Sequence, residues 1–259
     1  MNKLGIIFCG YNTEKYINDS ISTWVKLRED NPGKVILSAV SLPFAEYEGL
    51  DIFQDNTTNV LLELEYKRKI DKVFTRPKYI KENEARDLCL QYLLKKECDL
   101  IMLVDSDEIF TSEQISNIFD YVDQDKLIAW YSICYKNYIF TDKQYLSAPF
   151  TPPRIFRVNV GNFKLDKIYW DNDFMYVSTK TGQTFTNYQL AGRNIPKKVA
   201  FVKHYTWMND EKSKQKIEYQ NKHFGGTCSY AWDNEKGLIF NEEFYKAYSL
   251  KKPEVLTEE

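Results

Sequence analysis

Long hydrophobic runs are missing from this chain. No apolar stretch approaches the roughly 20 residues that a helix needs to cross a bilayer, which argues against an integral membrane role. Charge of one sign is not in excess either. A formal net charge of −2 leaves no global basic footprint for nucleic acid, which argues against such a partner while leaving a local patch open. The 5 cysteines (Cys9, Cys89, Cys98, Cys134 and Cys228) show no paired spacing and leave one over. That argues against a disulfide framework and for reduced, mostly buried thiols in a cytoplasmic protein. Histidine is scarce, at 2 residues in 259, so only His204 and His223 can supply imidazole chemistry. A glycine-rich phosphate loop is also lacking, because Gly10-Tyr11-Asn12 runs on into Thr13-Glu14-Lys15, and this weighs against a nucleotidyltransferase. Residues 1–10 lack the long apolar core and small-residue cleavage site of a signal peptide, and read as a first buried strand.

What the chain does have is size, rings and alternation. Its 259 residues suffice for a substantial core, and 19 Tyr, 16 Phe and 5 Trp fill most of it with rings. Short apolar runs at 4–9, 35–40, 72–75 and 100–104 predict strands. Between them, helical spacing follows Thr13 (Tyr16, Ile17, Ile21, Trp24), Asp55-Asn56 (Val60, Leu61, Leu64) and Glu84 (Ala85, Leu88, Cys89, Tyr92, Leu93). Thr111-Ser112-Glu113-Gln114 fits a capping box for a helix through Ile115, Ile118 and Phe119. Such alternation implies a mainly parallel sheet with helices on both faces. After residue 127 the pattern becomes β-rich and aromatic. Strands are expected within 128–140, 155–160, 174–179 and 198–204, a polar helix over 210–222, a loop over 182–194, and a frayed charged tail after Lys251.

The sharpest motif is Asp105-Ser106-Asp107-Glu108, directly after the most apolar strand. Ligands bind beyond the carboxyl ends of parallel strands, and two aspartates one residue apart can hold Mg²⁺ or Mn²⁺ there. An acidic turn capping the next helix is the plainer reading; the βαβ setting favours metal binding at Asp105 and Asp107. Glu108 serves equally as a cap, a supporting group or a ligand.

Glu84-Ala85-Arg86-Asp87 opening a helix, residues 99–108 ending in Asp105-Ser106-Asp107-Glu108, and Tyr11-Asn12-Thr13-Glu14-Lys15-Tyr16-Ile17 after the first strand together carry a resemblance to family 2 glycosyltransferases. It covers the first half well and the second by scattered motifs. It implies a GT-A (Rossmann-like) α/β fold: a mainly parallel central sheet flanked by helices, with a β-rich and helical C-terminal acceptor-side portion. Residues 1–126 would form the nucleotide-sugar-binding half, and 127–259 the acceptor-side portion of the same domain. Where the family carries Asp-Asp-x-Ser after its second strand, this chain has Ser41-Leu42-Pro43-Phe44, with Asp51 or Asp55 as substitutes for the missing carboxylate.

The resemblance further implies a metal site of Asp105, Asp107 and His204, the last from His204-Tyr205-Thr206-Trp207 before a Lys-rich helix. It implies a nucleotide diphosphate sugar as donor, UDP-sugar favoured, touched by Tyr11, Asn12, Arg86, Asp105, Ser106, Lys203 and Trp207. An inverting transfer needs a general base, and Trp170-Asp171-Asn172-Asp173 offers Asp171, then Asp173. A structural Arg86–Asp87 or Arg86–Glu84 pair, a solvated Lys203, a packed Trp207 and an ordinary 170–173 turn are the bland rivals. Arg154 and Arg157 are weaker candidates for the acceptor side. The expected acceptor is a glycan or glycoconjugate, with hydroxylated DNA bases as the alternative. A degenerate, non-catalytic binding module and an aspartyl phosphatase are the readings of other classes. The expected location is cytoplasmic, with peripheral membrane association left open.

Overall fold

The computed structural model describes residues 3–42, 55–75, 80–170, 173–208, 210–223 and 228–258; of residues 170, 206, 211, 212 and 223 it describes the backbone alone. The first half alternates as its pattern requires: β1 (Leu4–Cys9), α1 (Glu14–Asp30), β2 (Val35–Val40), α2 (Thr57–Tyr66), β3 (Lys72–Phe74), α3 (Glu82–Lys95), β4 (Leu100–Asp105), β5 (Glu108–Ile109) and α4 (Ser112–Asp123). The second half holds β6 (Trp130–Ser132), β7 (Cys134–Phe140), β8 (Gln144–Leu146), β9 (Pro153–Arg157), β10 (Asn159–Val160), β11 (Phe163–Trp170), β12 (Asp173–Ser178), β13 (Thr184–Thr186) and β14 (Gly192–Asn194). It continues with β15 (Phe201–Met208), α5 (Glu211–His223), β16 (Tyr230–Asp233), β17 (Gly237–Phe240), α6 (Glu242–Ala247) and β18 (Val255–Thr257).

The central sheet has the order β14-β6-β9-β4-β1-β2-β3. Strands β3, β2, β1 and β4 are mutually parallel, and β9 is the antiparallel member between β4 and β6. The protein is therefore an α/β molecule whose parallel-rich sheet is covered by helices. Strands β1 and β4 are apolar throughout because both of their faces are covered. Alternate residues go to opposite layers: Leu4, Ile6 and Phe8 join a core with α1, α2 and α4, while Ile7 and Cys9 join one with α3 and the hairpin β11–β12.

A second sheet, β18-β8-β7-β15-β5, stands beyond the end of β4. Helix α5 and the hairpin β16–β17 pack behind it around Trp207, Ile217, Tyr230 and Leu238. The apolar stretch 128–140 is divided at Ile133, sending β6 to the first sheet and β7 to the second.

Two expectations are corrected. The stretch 182–194 carries β13 and β14, and β14 extends the main sheet beside β6. Gly192 lets it do so, because a Cβ there would collide with the Trp130 ring. The tail is paired rather than frayed: β18 lies antiparallel to β8, and Glu258 is bound by Lys136, Tyr138 and Lys203. Among the described residues, no helix is long and apolar enough to cross a membrane.

Candidate functional site

The turn after β4 is pinned on both sides. Ser106 donates its N–H to the Cys9 carbonyl (2.8 Å), and Tyr205 donates to the Asp107 carbonyl (2.9 Å). Strand β5 then pairs antiparallel with β15, setting His204 opposite Glu108. This register brings a residue nearly a hundred positions away to the Asp-Ser-Asp-Glu turn.

The β1–α1 loop closes over the same edge. Thr13 occupies the first cap position of α1, but its hydroxyl shares a 2.6 Å hydrogen bond with the Ser106 hydroxyl instead of capping the helix. Gly10 permits the approach, since a Cβ there would lie 3.3 Å from Ser106 Cβ. Asn12 adopts φ 53°, a left-handed conformation that asparagine tolerates, and its Oδ1 accepts the Asp55 N–H (3.2 Å). Asp55 in turn accepts N–H groups from Glu14 and Thr57, so both of its oxygens cap neighbouring backbone. Tyr11 is half-buried beside Asn12 in this loop. Asp51 lies outside the described residues.

Asp105 is held by two guanidinium groups. Arg86, buried in α3, reaches Oδ1 (2.9 Å) and also Glu82 (2.5 Å), while Arg154 from β9 reaches Oδ2 (2.8 Å). Burial pushes the Asp105 carboxyl up, but Arg154 and Arg86 outweigh it and hold the group below the usual carboxylate range. Glu108 is fully buried. Arg154 Nε and Nη2 donate to its Oε1 (3.0 and 2.5 Å), and the Tyr135 hydroxyl and Asp105 N–H donate to its Oε2 (3.0 and 3.1 Å). Desolvation pushes the Glu108 carboxyl up to about 8, against the lowering effect of Arg154.

Asp107 and His204 form the other half of the site. Asp107 Oδ1 stands 3.7 Å from His204 Nε2, and His204 Nδ1 lies 2.8 Å from Asn137 Oδ1. Burial lowers the imidazole to about 4, against the opposing charge of Asp107, so it is neutral at pH 7. Asn137 Oδ1 stands where it can accept an Nδ1–H, and in that tautomer the Nε2 lone pair would face the carboxylate. At 3.7 Å the two atoms are beyond hydrogen-bond reach of each other, and one ion about 2.1 Å from each would bridge them at an angle of about 120°. The donor set, one imidazole and one carboxylate, fits a divalent ion such as Mn²⁺. Among the described residues no cluster of three or more His, Cys, Asp or Glu assembles here, and the Asp105 oxygens face guanidinium groups.

The remaining candidates divide. Lys203 points to the other face of β15, towards Glu258 (3.6 Å) and the Tyr138 ring. Trp207 is buried against Tyr230, with Lys216 over its ring, in the core behind the second sheet. Arg157 donates to the carbonyls of Val122, Asp125 and Ile128, away from the carboxylates. Asp173 is half-buried at the start of β12, and Asp171 lies outside the described residues. The Asn83 amide donates to the Tyr169 carbonyl (2.9 Å), which ties the end of β11 to the start of α3, one turn before Arg86.

Asn137 and Tyr135 went unnoticed in the sequence, and Arg154 was assigned to the acceptor side although it anchors two carboxylates. A signal for Asn137 existed: it is a lone amide within the strand Cys-Tyr-Lys-Asn-Tyr-Ile-Phe, where a buried polar group needs a partner.

No protein-family model matches the chain, and no curated protein matches it in sequence. Solved structures of S. aureus TarS do match. Its 1–349 portion aligns with TM-score 0.40 and 18% identity over 60% of this chain and 47% of that one. The same portion in complex with UDP-GlcNAc gives 0.40, 18%, 60% and 45%. A further TarS structure gives 0.39 and 18% over 60% of this chain and 28% of that one. The aligned part thus spans less than half the length of each TarS chain. A likeness this distant carries no functional argument, which rests on the site itself.

Proposed function

We propose that the chain is a metal-dependent glycosyltransferase of the GT-A type, moving a sugar from a nucleotide diphosphate donor, UDP-sugar favoured, to a hydroxyl of a glycan or glycoconjugate. The observation that carries this reading is the facing pair Asp107 Oδ1 and His204 Nε2, 3.7 Å apart, beyond the carboxyl end of β4. Asp107 and His204 would hold Mn²⁺ or Mg²⁺, and the bound ion would neutralise charge developing on the departing diphosphate. Phosphate oxygens and water would complete the coordination.

The protein's own groups supply the rest. The linked Thr13 and Ser106 hydroxyls, with Tyr11 and Asn12, would line the donor side where β1 meets α1. Arg86 and Arg154 hold the two oxygens of the Asp105 carboxylate. For an inverting transfer, Asp171 or Asp173 would take the acceptor's proton. An aspartyl phosphatase would need an Asp105 oxygen aimed at substrate, and both oxygens are occupied by guanidinium N–H groups.

The test is thermal unfolding of wild type and Asp107→Ala with nucleoside diphosphates and their sugars, with and without Mn²⁺. A ligand at a hundred times its dissociation constant adds about 2.7 kcal/mol to the folded state. Stabilisation by uridine nucleotides that requires Mn²⁺ and disappears in the variant is expected. No response to any nucleotide would refute the reading.

A further inference from the structure

The metal reading requires one particular form of His204, and the residue that selects it stands on the neighbouring strand. Strands β15 and β7 run parallel with His204 in register with Asn137, so the two side chains are cross-strand neighbours on the face that carries Tyr135. Asn137 is 8% exposed and its Oδ1 lies 2.8 Å from Nδ1. The imidazole is wedged between rings: Tyr135 meets it edge-on at 5.5 Å, and Phe150 stacks at 6.2 Å. It therefore has little freedom to turn and choose another partner.

Two hydrogen-bond patterns are open to a neutral ring in this position. If the amide nitrogen of Asn137 donated to Nδ1, the ring proton would sit on Nε2 and point at Asp107 Oδ1. In that form Nε2 has no lone pair to offer a cation beside Asp107, 3.7 Å away. If Asn137 Oδ1 accepts from Nδ1–H, the proton is satisfied and the Nε2 lone pair faces the Asp107 oxygen. Only the second pattern leaves Nε2 with a lone pair for a cation. Ligating histidines are commonly oriented in this way, through a hydrogen bond from the nitrogen that does not bind the metal.

We propose that Asn137 is a positioning residue that fixes His204 as the Nδ1–H tautomer and so presents Nε2, together with Asp107, to a divalent cation. The inference rests on the metal reading above, and two measurements separate them. The first is ¹⁵N NMR of the imidazoles in the full chain without metal, a spectrum simplified by there being 2 histidines. A buried ring protonated at Nδ1 is expected, whereas one protonated at Nε2 overturns the inference.

The second is titration of the full chain with Mn²⁺ followed by electron paramagnetic resonance. Asn137→Leu, which keeps volume but removes the acceptor, should weaken Mn²⁺ roughly 10–100-fold, the usual effect of losing an outer-shell partner. Asn137→Asp keeps the acceptor and should bind at least as tightly as wild type. Folded Asn137→Leu protein with wild-type affinity overturns the inference while leaving the metal site standing, as does equal weakening in both variants. Wild-type protein that binds no Mn²⁺ overturns the metal reading, and with it the role given to Asn137.

Discussion

Arg154 is the side chain on which the carboxylate edge depends. Its side chain is 3% exposed and bridges Asp105 to Glu108, so removing it strands the fully buried Glu108 and leaves Asp105 on Arg86 alone. Arg154→Met should therefore cost at least ~3 kcal/mol in urea unfolding, far more than loss of a surface ion pair. A cost below about 1 kcal/mol would show that the bridge is not needed. His204 makes a separate prediction about acid. Its folded value is lowered to about 4 from the ordinary 6.5, so between these values the unfolded chain takes up a proton that the folded ring refuses. The contribution is fully present above pH 6.5 and is lost as pH falls towards 4. Wild type should lose stability across that window, and His204→Gln should show a shallower decline. Identical pH profiles would contradict the burial of a neutral ring.

Elements explain what could be read beforehand and what could not. The strands β1, β2 and β4 were legible because burial on both faces makes them continuous apolar runs, and α4 because Thr111 and Gln114 form the capping box that their spacing predicted. The Asp105–Glu108 turn was legible for the same reason, since it follows the most apolar strand. The partners of that turn were not. Whether His204 meets Asp107 depends on β15 pairing with β5, a non-local register that periodicity within either segment does not specify. Lys203 and Trp207 were grouped with His204 by proximity in sequence, but alternation along β15 and its irregularity between Tyr205 and Trp207 send them elsewhere. The tail was misread because composition does not reveal that Glu258 meets Lys136, Tyr138 and Lys203. Glu258→Ala should release it: backbone amides of β18 should exchange faster while those of β4 stay protected. Unchanged protection in β18 would assign its order to strand pairing with β8 alone.

In the whole molecule a wide sheet ends at the Asp105–Glu108 turn, and a smaller sheet sets His204 beside it. Strands β6 and β9, from the second half of the chain, complete the sheet begun by β1 to β4, so the edge carrying Asp105 is framed by both halves. The smaller sheet contributes His204 and Asn137, and the hairpin β11–β12 is anchored beside α3. This division separates Asp105, with its two guanidinium partners, from the facing pair Asp107 and His204. The most direct test is a crystal of the protein grown with UDP and Mn²⁺, with diffraction recorded at the manganese absorption edge. The account predicts one anomalous peak between Asp107 Oδ1 and His204 Nε2, bonded to diphosphate oxygens, with Asp105 still on Arg86 and Arg154. A manganese peak elsewhere, or nucleotide bound with none between those two atoms, would contradict it.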